Sequence, residues 1–175
     1  MAPHLYIYGL TSYRDESTIA RFLDRYVDRD ASERRYDQGL AMEPIDTVPG
    51  AQSHLREQWE WAPTIVEAVR HGLAAPGRAF FVWLTARDAA FDGINLAFTG
   101  DDQLSFGVCI DDAGEGPDLD VQARTVLSEL VERFPCHIGV AAFGQLPPRD
   151  EAAFRALADD PLTMLFFSRD REVTQ

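Results

Sequence analysis

The stretch from Ile94 to Ile110 constrains the fold more than any other part of the chain. Ile94, Leu96 and Phe98 alternate with Asn95, Ala97 and Thr99. After Gly100-Asp101-Asp102 the alternation resumes, with Leu104, Phe106, Val108 and Ile110 set against Ser105, Gly107 and Cys109. A side-chain period of two on both sides of a Gly/Asp turn specifies an antiparallel hairpin and excludes a helix. One face of this hairpin is large and apolar and therefore buried. The other face is small or polar, which suits a solvated sheet surface, close packing beneath a helix, or the floor of a groove for a ligand or partner.

The flanking segments supply strands and helices by the same periodicity argument. Leu5–Leu10 reads as a first strand, with Leu5 and Ile7 opposite Tyr6 and Tyr8. Ile19, Phe22, Leu23, Tyr26 and Val27 recur at helical spacing, with Asp15 and Glu16 at the favourable end of the helix dipole. Residues 28–51 carry the weakest pattern, with Leu40–Ile45 expected as a short edge strand because Pro44 suits an edge. Leu55, Trp59, Ala62, Val66, Val69 and Leu73 keep helical phase through Pro63. That predicts either a helix kinked at Pro63 or a new helix opening on it, with Gly72 as terminator. Ala79–Leu84 reads as a central strand covered on both faces. A helix from about Ala123 to Phe134 follows the acidic loop Asp111–Asp120, with Asp118 or Asp120 as its cap. Cys136–Phe143 reads as a buried strand, Arg149–Asp159 as a short helix and Thr163–Ser168 as the last strand, with 170–175 a frayed tail. The fold class is therefore α/β (α+β): a mixed sheet containing a central three-strand antiparallel meander, with helices on at least one face, in one domain spanning 1–175. The strand-helix-strand unit between Leu104 and Phe143 should run parallel.

Charge separates function classes where motifs do not. Asp and Glu number 29 against 16 basic residues, a formal charge of -13, so DNA, RNA and anionic lipid are disfavoured partners and basic proteins are favoured ones. The hydrophobic fraction of 46% supports a substantial core despite that charge. Lysine is absent, so Schiff-base and Walker-type chemistry have no residue to use. There is no G-x-S-x-G elbow, the glycines of the acidic loop fit neither a calcium loop nor a dinucleotide fingerprint, and Cys109 and Cys136 make neither a zinc motif nor a disulfide framework. No apolar run reaches the roughly 20 residues that span a bilayer, and the apolar run Leu5–Leu10 is too short for the core of a signal peptide. We therefore expect a bacterial, cytoplasmic protein with no cofactor and no metal.

These features predict a non-enzymatic acidic binding protein that associates with a basic protein partner, on the pattern of an immunity-type inhibitor of a toxic effector. The expected partner-binding residues are Asp111, Asp112, Glu115, Asp118 and Asp120 in the acidic loop, together with Trp61, which lies off the apolar stripe. The alternative is a small-molecule enzyme or ligand-binding domain, its site formed where the loops after Leu10, Leu84 and Ile110 converge, with Tyr13, Arg14, Asp111, Asp112 and His137 as candidates.

Overall fold

A computed structural model describes residues 4–45, 59–110 and 117–171. Its centre is β1 (Leu5–Thr11), which pairs on one side with β6 (Leu104–Ile110) and on the other with β7 (Ile138–Phe143). Outward from β6 lie β5 (Gly93–Phe98), β4 (Phe80–Leu84), β2 (Leu40–Pro44) and the short β3 (Glu60–Ala62); outward from β7 lies β8 (Thr163–Ser168). All neighbours in this eight-stranded sheet are antiparallel. The expected meander is β4-β5-β6, with Ile94 opposite Val108 and Leu96 opposite Phe106. The expected parallel pair is β6 and β7, which run the same way but are separated by β1.

The alternation read in the hairpin continues across the sheet. One face carries Leu5 and Ile7, Leu96 and Phe98, Phe106 and Val108, Phe80 and Val82, all essentially buried. Three helices cover it: α1 (Glu16–Tyr26), α3 (Ile65–Ala74) and α4 (Pro117–Arg133). Phe22 of α1 stacks on Phe106 with centroids 4.3 Å apart, and Phe134, just beyond α4, meets Phe22 edge-on at 5.6 Å. The other face is covered over β1 and β7 by α5 (Glu151–Ala156) and the 3₁₀ turn Leu157–Asp159, where Phe154 packs on Tyr8. A short α2 (Arg29–Glu33) links α1 to β2.

Local chemistry sets the helix starts. Asp15, Asp28, Thr64 and Asp150 each accept a hydrogen bond from the backbone N–H three residues on, satisfying a donor that the helix itself leaves unpaired. Asp118 and Asp120 do not cap α4: the helix begins at Pro117, so both carboxylates lie in its first turn, where the dipole favours them.

Several expectations change. The phase running through Pro63 does not mark one helix. Glu60–Ala62 is a strand, Pro63 and Thr64 turn the chain, and α3 begins at Ile65. Trp59 and Trp61, two apart, share one strand face. Strand β2 is not an edge, because β3 pairs with Leu40–Met42 on its outer side; Pro44 lies past that ladder and pairs with Phe80. Gly72 does not terminate α3. It sits inside the helix because a Cβ there would lie 2.3 Å from the ring of Phe98. Of the expected tail 170–175, Asp170 and Arg171 belong to a 3₁₀ turn, Arg169–Arg171, tied down by Arg155 to Asp170 at 2.6 Å; residues 172–175 lie outside the described residues.

Glu129 of α4 ties that helix to α1. It accepts from Arg25 Nε at 2.8 Å, from the Tyr26 hydroxyl at 2.7 Å and from Arg133 at 2.7 Å. Burial alone would raise its pKa, but the hydrogen bonds from Arg25, Tyr26 and Arg133 outweigh that and hold it at about 2. The Tyr26 hydroxyl is pushed up, by burial and then by this carboxylate.

Two predictions follow from this packing. Gly72→Ala gains helix propensity of up to about 1 kcal/mol but meets the Phe98 ring, and overpacking of this kind costs about 1–3 kcal/mol, so chemical denaturation should show a net loss of stability. The depressed Glu129 carboxyl binds its proton more readily in the unfolded chain. Its contribution is therefore complete above about pH 4.5 and is lost as pH falls toward about 2. Glu129→Gln should remove on the order of 2–3 kcal/mol at neutral pH and flatten the acid limb of a stability-against-pH curve.

Candidate functional site

The second face of the sheet is where the sequence leaves a question. Asn95, Ala97, Thr99, Ser105, Gly107 and Cys109 are all buried there, so an ordinary solvent-facing surface is ruled out. Aromatic side chains from the flanking strands lie over these small residues. A Cβ on Gly107 would stand 2.6 Å from Tyr8 Cε1, and one on Gly93 would stand 2.4 Å from Trp83 Cζ2. Tyr6 stacks on Tyr8 at 6.0 Å and meets Trp83 edge-on at 6.2 Å. The small residues are thus what allows the tyrosine and tryptophan rings to approach the sheet.

Two polar groups on this floor are left over. Among the described residues, neither side-chain atom of Asn95 nor the hydroxyl of Ser105 has a hydrogen-bond partner, although the two residues are 2% and 0% exposed. Register sets Asn95 opposite Gly107 and Ala97 opposite Ser105, so the two are diagonal neighbours on adjacent strands.

At one end of the same floor three ligand-type atoms converge. His4, Asp92 and Cys109 place an imidazole nitrogen, a carboxylate oxygen and a thiol sulfur within 4.8 Å of one another. His4 Nδ1 is 3.6 Å from Asp92 Oδ2. The pKa of Tyr6 is pushed up to about 12, by burial first and then by the adjacent Cys109 and Asp92. Composition could not announce this cluster, because its members lie far apart in the chain; the strand register assembles it. Cys109 and His137 stand at opposite ends of the sheet: Cys109 pairs with Tyr6, whereas the His137 N–H bonds to the Leu10 carbonyl.

The loops expected to converge do not. Neighbouring strands are antiparallel, so β1 finishes just past Leu10 at one end of the sheet while Leu84 and Ile110 finish β4 and β6 at the other. At the Leu10 end the polar groups are committed to each other. Arg14, 13% exposed, donates to Asp102 at 2.7 Å and to the carbonyls of Gly72 and Ala75 at the C-terminal end of α3. His137 lies 3.3 Å from Glu151, whose pKa is held at about 2, chiefly by hydrogen bonds from Gln103 and Arg155. Tyr13 is exposed on the turn after β1.

Of the expected partner-binding residues, Asp111, Asp112 and Glu115 lie outside the described residues. Asp118 is exposed in the first turn of α4, and Asp120 is bonded to Arg124 at 2.7 Å. Trp61 has a more telling position. It lies half-buried on β3, the outermost strand on its side of the sheet among the described residues. Its ring packs edge-on against Tyr36 at 5.9 Å and lies tilted against Trp59 at 6.2 Å. Tyr36 is 40% exposed, and Val66 in the first turn of α3 is 55% exposed. Gly39 holds the loop here: its φ of +96° suits glycine, and a Cβ would fall 2.3 Å from the Ala62 carbonyl. Glu60, which alternation turns to the other face of β3, is paired with Arg78 at 2.5 Å and held below its usual pKa by that contact.

The chain matches no protein-family model, no curated protein and no solved structure. Among the described residues, no helix is long and apolar enough to cross a membrane.

A buried hydroxyl without a partner costs about 1–3 kcal/mol relative to a satisfied one. Ser105→Ala should therefore leave stability unchanged or raise it by up to about 1 kcal/mol in a urea titration; a clear loss would show that the hydroxyl is bonded in the folded protein.

Proposed function

We propose that this chain is a non-enzymatic acidic binding protein that docks a basic protein partner, in the manner of an immunity-type inhibitor of a toxic effector. The observation that carries this reading is the Tyr36–Trp59–Trp61 cluster at the outermost strand β3, on a molecule of net charge -13. Aromatic side chains concentrate binding energy at the centres of interfaces, and a partly exposed group of them at a sheet edge is a suitable anchor. The outer edge of β3 adds backbone donors and acceptors that an incoming strand could pair with. The field of the whole molecule would steer a cationic surface toward it and discriminate against acidic competitors.

The acidic loop enters this proposal through its charge. Asp111, Asp112, Glu115 and Asp118 would contribute to the field and to the rim of a contact, where single charges alter on-rate more than affinity. Asp120 contributes less, because Arg124 already neutralises it. The committed ion pairs at the Leu10 end of the sheet give no comparable support to an enzymatic reading.

The test is reconstitution with a purified partner. Proteins captured from the native host at low salt are identified, expressed and titrated against the chain. We expect a basic partner, binding that weakens as salt rises, and a loss of about 2 kcal/mol or more, roughly thirtyfold, for Trp61→Ala. A partner of neutral or acidic surface, or affinity unchanged by Trp61→Ala, would defeat the proposal.

A further inference from the structure

We propose that His4, Asp92 and Cys109 bind one borderline transition-metal ion, of the zinc type, at the end of the sheet where β1 begins and β6 ends. Tyr6 pairs with Cys109 across β1 and β6, and Gly93 pairs with Cys109 across β5 and β6. His4, two residues before Tyr6, therefore projects to the same face as the Cys109 thiol, and Asp92 is one residue ahead of Gly93. Backbone bonds fix all three: the Asp92 N–H donates to the Cys109 carbonyl at 2.9 Å, and the Gly144 N–H donates to the His4 carbonyl at 3.0 Å. Three donors of different chemistry, one within β6 and two just before the first residues of β1 and β5, are thereby gathered within 4.8 Å.

The donor set selects the metal. Calcium and magnesium require six or more oxygens and gain nothing from a thiol. A thiolate, an imidazole and a single carboxylate suit zinc, with metal–ligand distances near 2.0–2.3 Å; ligand atoms on a four-coordinate ion stand somewhat closer together than 4.8 Å, so a small closure completes the site. Cys109 is 2% exposed while the side chains of His4 and Asp92 are 34% and 46% exposed, which gives a buried sulfur and a route in from solvent. On binding, the thiol proton is released to solvent and the sulfur lone pair forms the metal bond. Three protein donors leave a fourth position for water or an exogenous ligand, on the same face as the unsatisfied amide of Asn95.

The experiment uses the full chain, treated with chelator and titrated with Co²⁺, then with Zn²⁺. A one-to-one complex should develop a thiolate-to-cobalt charge-transfer band in the near ultraviolet and the intense visible bands of a four-coordinate ion, and Zn²⁺ should displace it. Cys109→Ser should abolish the charge-transfer band, and Cys136→Ser should retain it. Loss of a group that merely orients a metal ligand costs 10–100-fold in affinity, so Asp92→Asn, which removes a direct ligand at an exposed position, should weaken Co²⁺ by at least about tenfold. The proposal is overturned if no charge-transfer band develops, if the band survives in Cys109→Ser, or if Asp92→Asn binds Co²⁺ as tightly as the parent. Should Cys109→Ser fail to fold, the Asp92→Asn titration alone decides.

Discussion

The double pairing of β1 organises everything else. This strand joins the β4-β5-β6 meander to β7 and β8, and its residues from Ile7 to Leu10 are buried on both sides. The arrangement depends on two glycines that sit side by side across β1 and β7. A Cβ on Gly9 would lie 2.6 Å from Cys136 Sγ and 3.2 Å from Leu130 Cβ, and a Cβ on Gly139 would lie 2.5 Å from Leu127 Cδ1. Helix α4 can therefore settle directly onto the sheet backbone at this seam. Protein interiors tolerate neither added volume nor voids at such contacts, so the helix, the two strands and the connection through Cys136 are fixed together.

The two faces of the sheet then divide the work differently. The helix-covered face is filled by large apolar side chains, and its energetics are those of an ordinary core. The opposite face is filled by aromatic rings lying over small residues, and it retains polar groups that have no partner among the described residues. Such groups are costly in a core, and the sheet edge and the strand ends around them carry the aromatic cluster at β3 and the convergence of His4, Asp92 and Cys109. Function, on this account, belongs to the second face and to the edges, while the first face supplies stability.

How much of this was legible in the sequence depended on whether local patterning had competition. The hairpin 94–110, the first strand, α1 and α4 were readable because a period of two or of 3.6 persisted without interruption, and the last strand because a short apolar run, Met164–Phe167, follows the break at Pro161. The segment around Trp59 misled because the apolar spacing matched a helix while the chain turned at Pro63; three strand residues followed by a helix reproduced the phase of a single longer helix. The burial of the small-residue face was not readable, since the rings that cover it come from β1 and β4, and nothing in the alternation of one hairpin specifies what its neighbours deliver. The His4–Asp92–Cys109 cluster was hidden for the same reason: contacts made by strand register leave no spacing motif. The sequence places Trp61 off the apolar stripe, but its neighbours Tyr36 and Trp59 emerge only once β3 is placed beside β2.

The account of function rests on β3 being the edge that a partner occupies. Hydrogen–deuterium exchange of the chain, free and in complex with its purified basic partner, tests that most directly. Amides of β1, β5 and β6 should exchange slowly in both states, as befits strands paired on both sides, whereas the amides of Glu60–Ala62 and the loop around Tyr36 should gain protection only in the complex. Unchanged exchange across β3 and Tyr36, with new protection confined to another surface, would contradict the account.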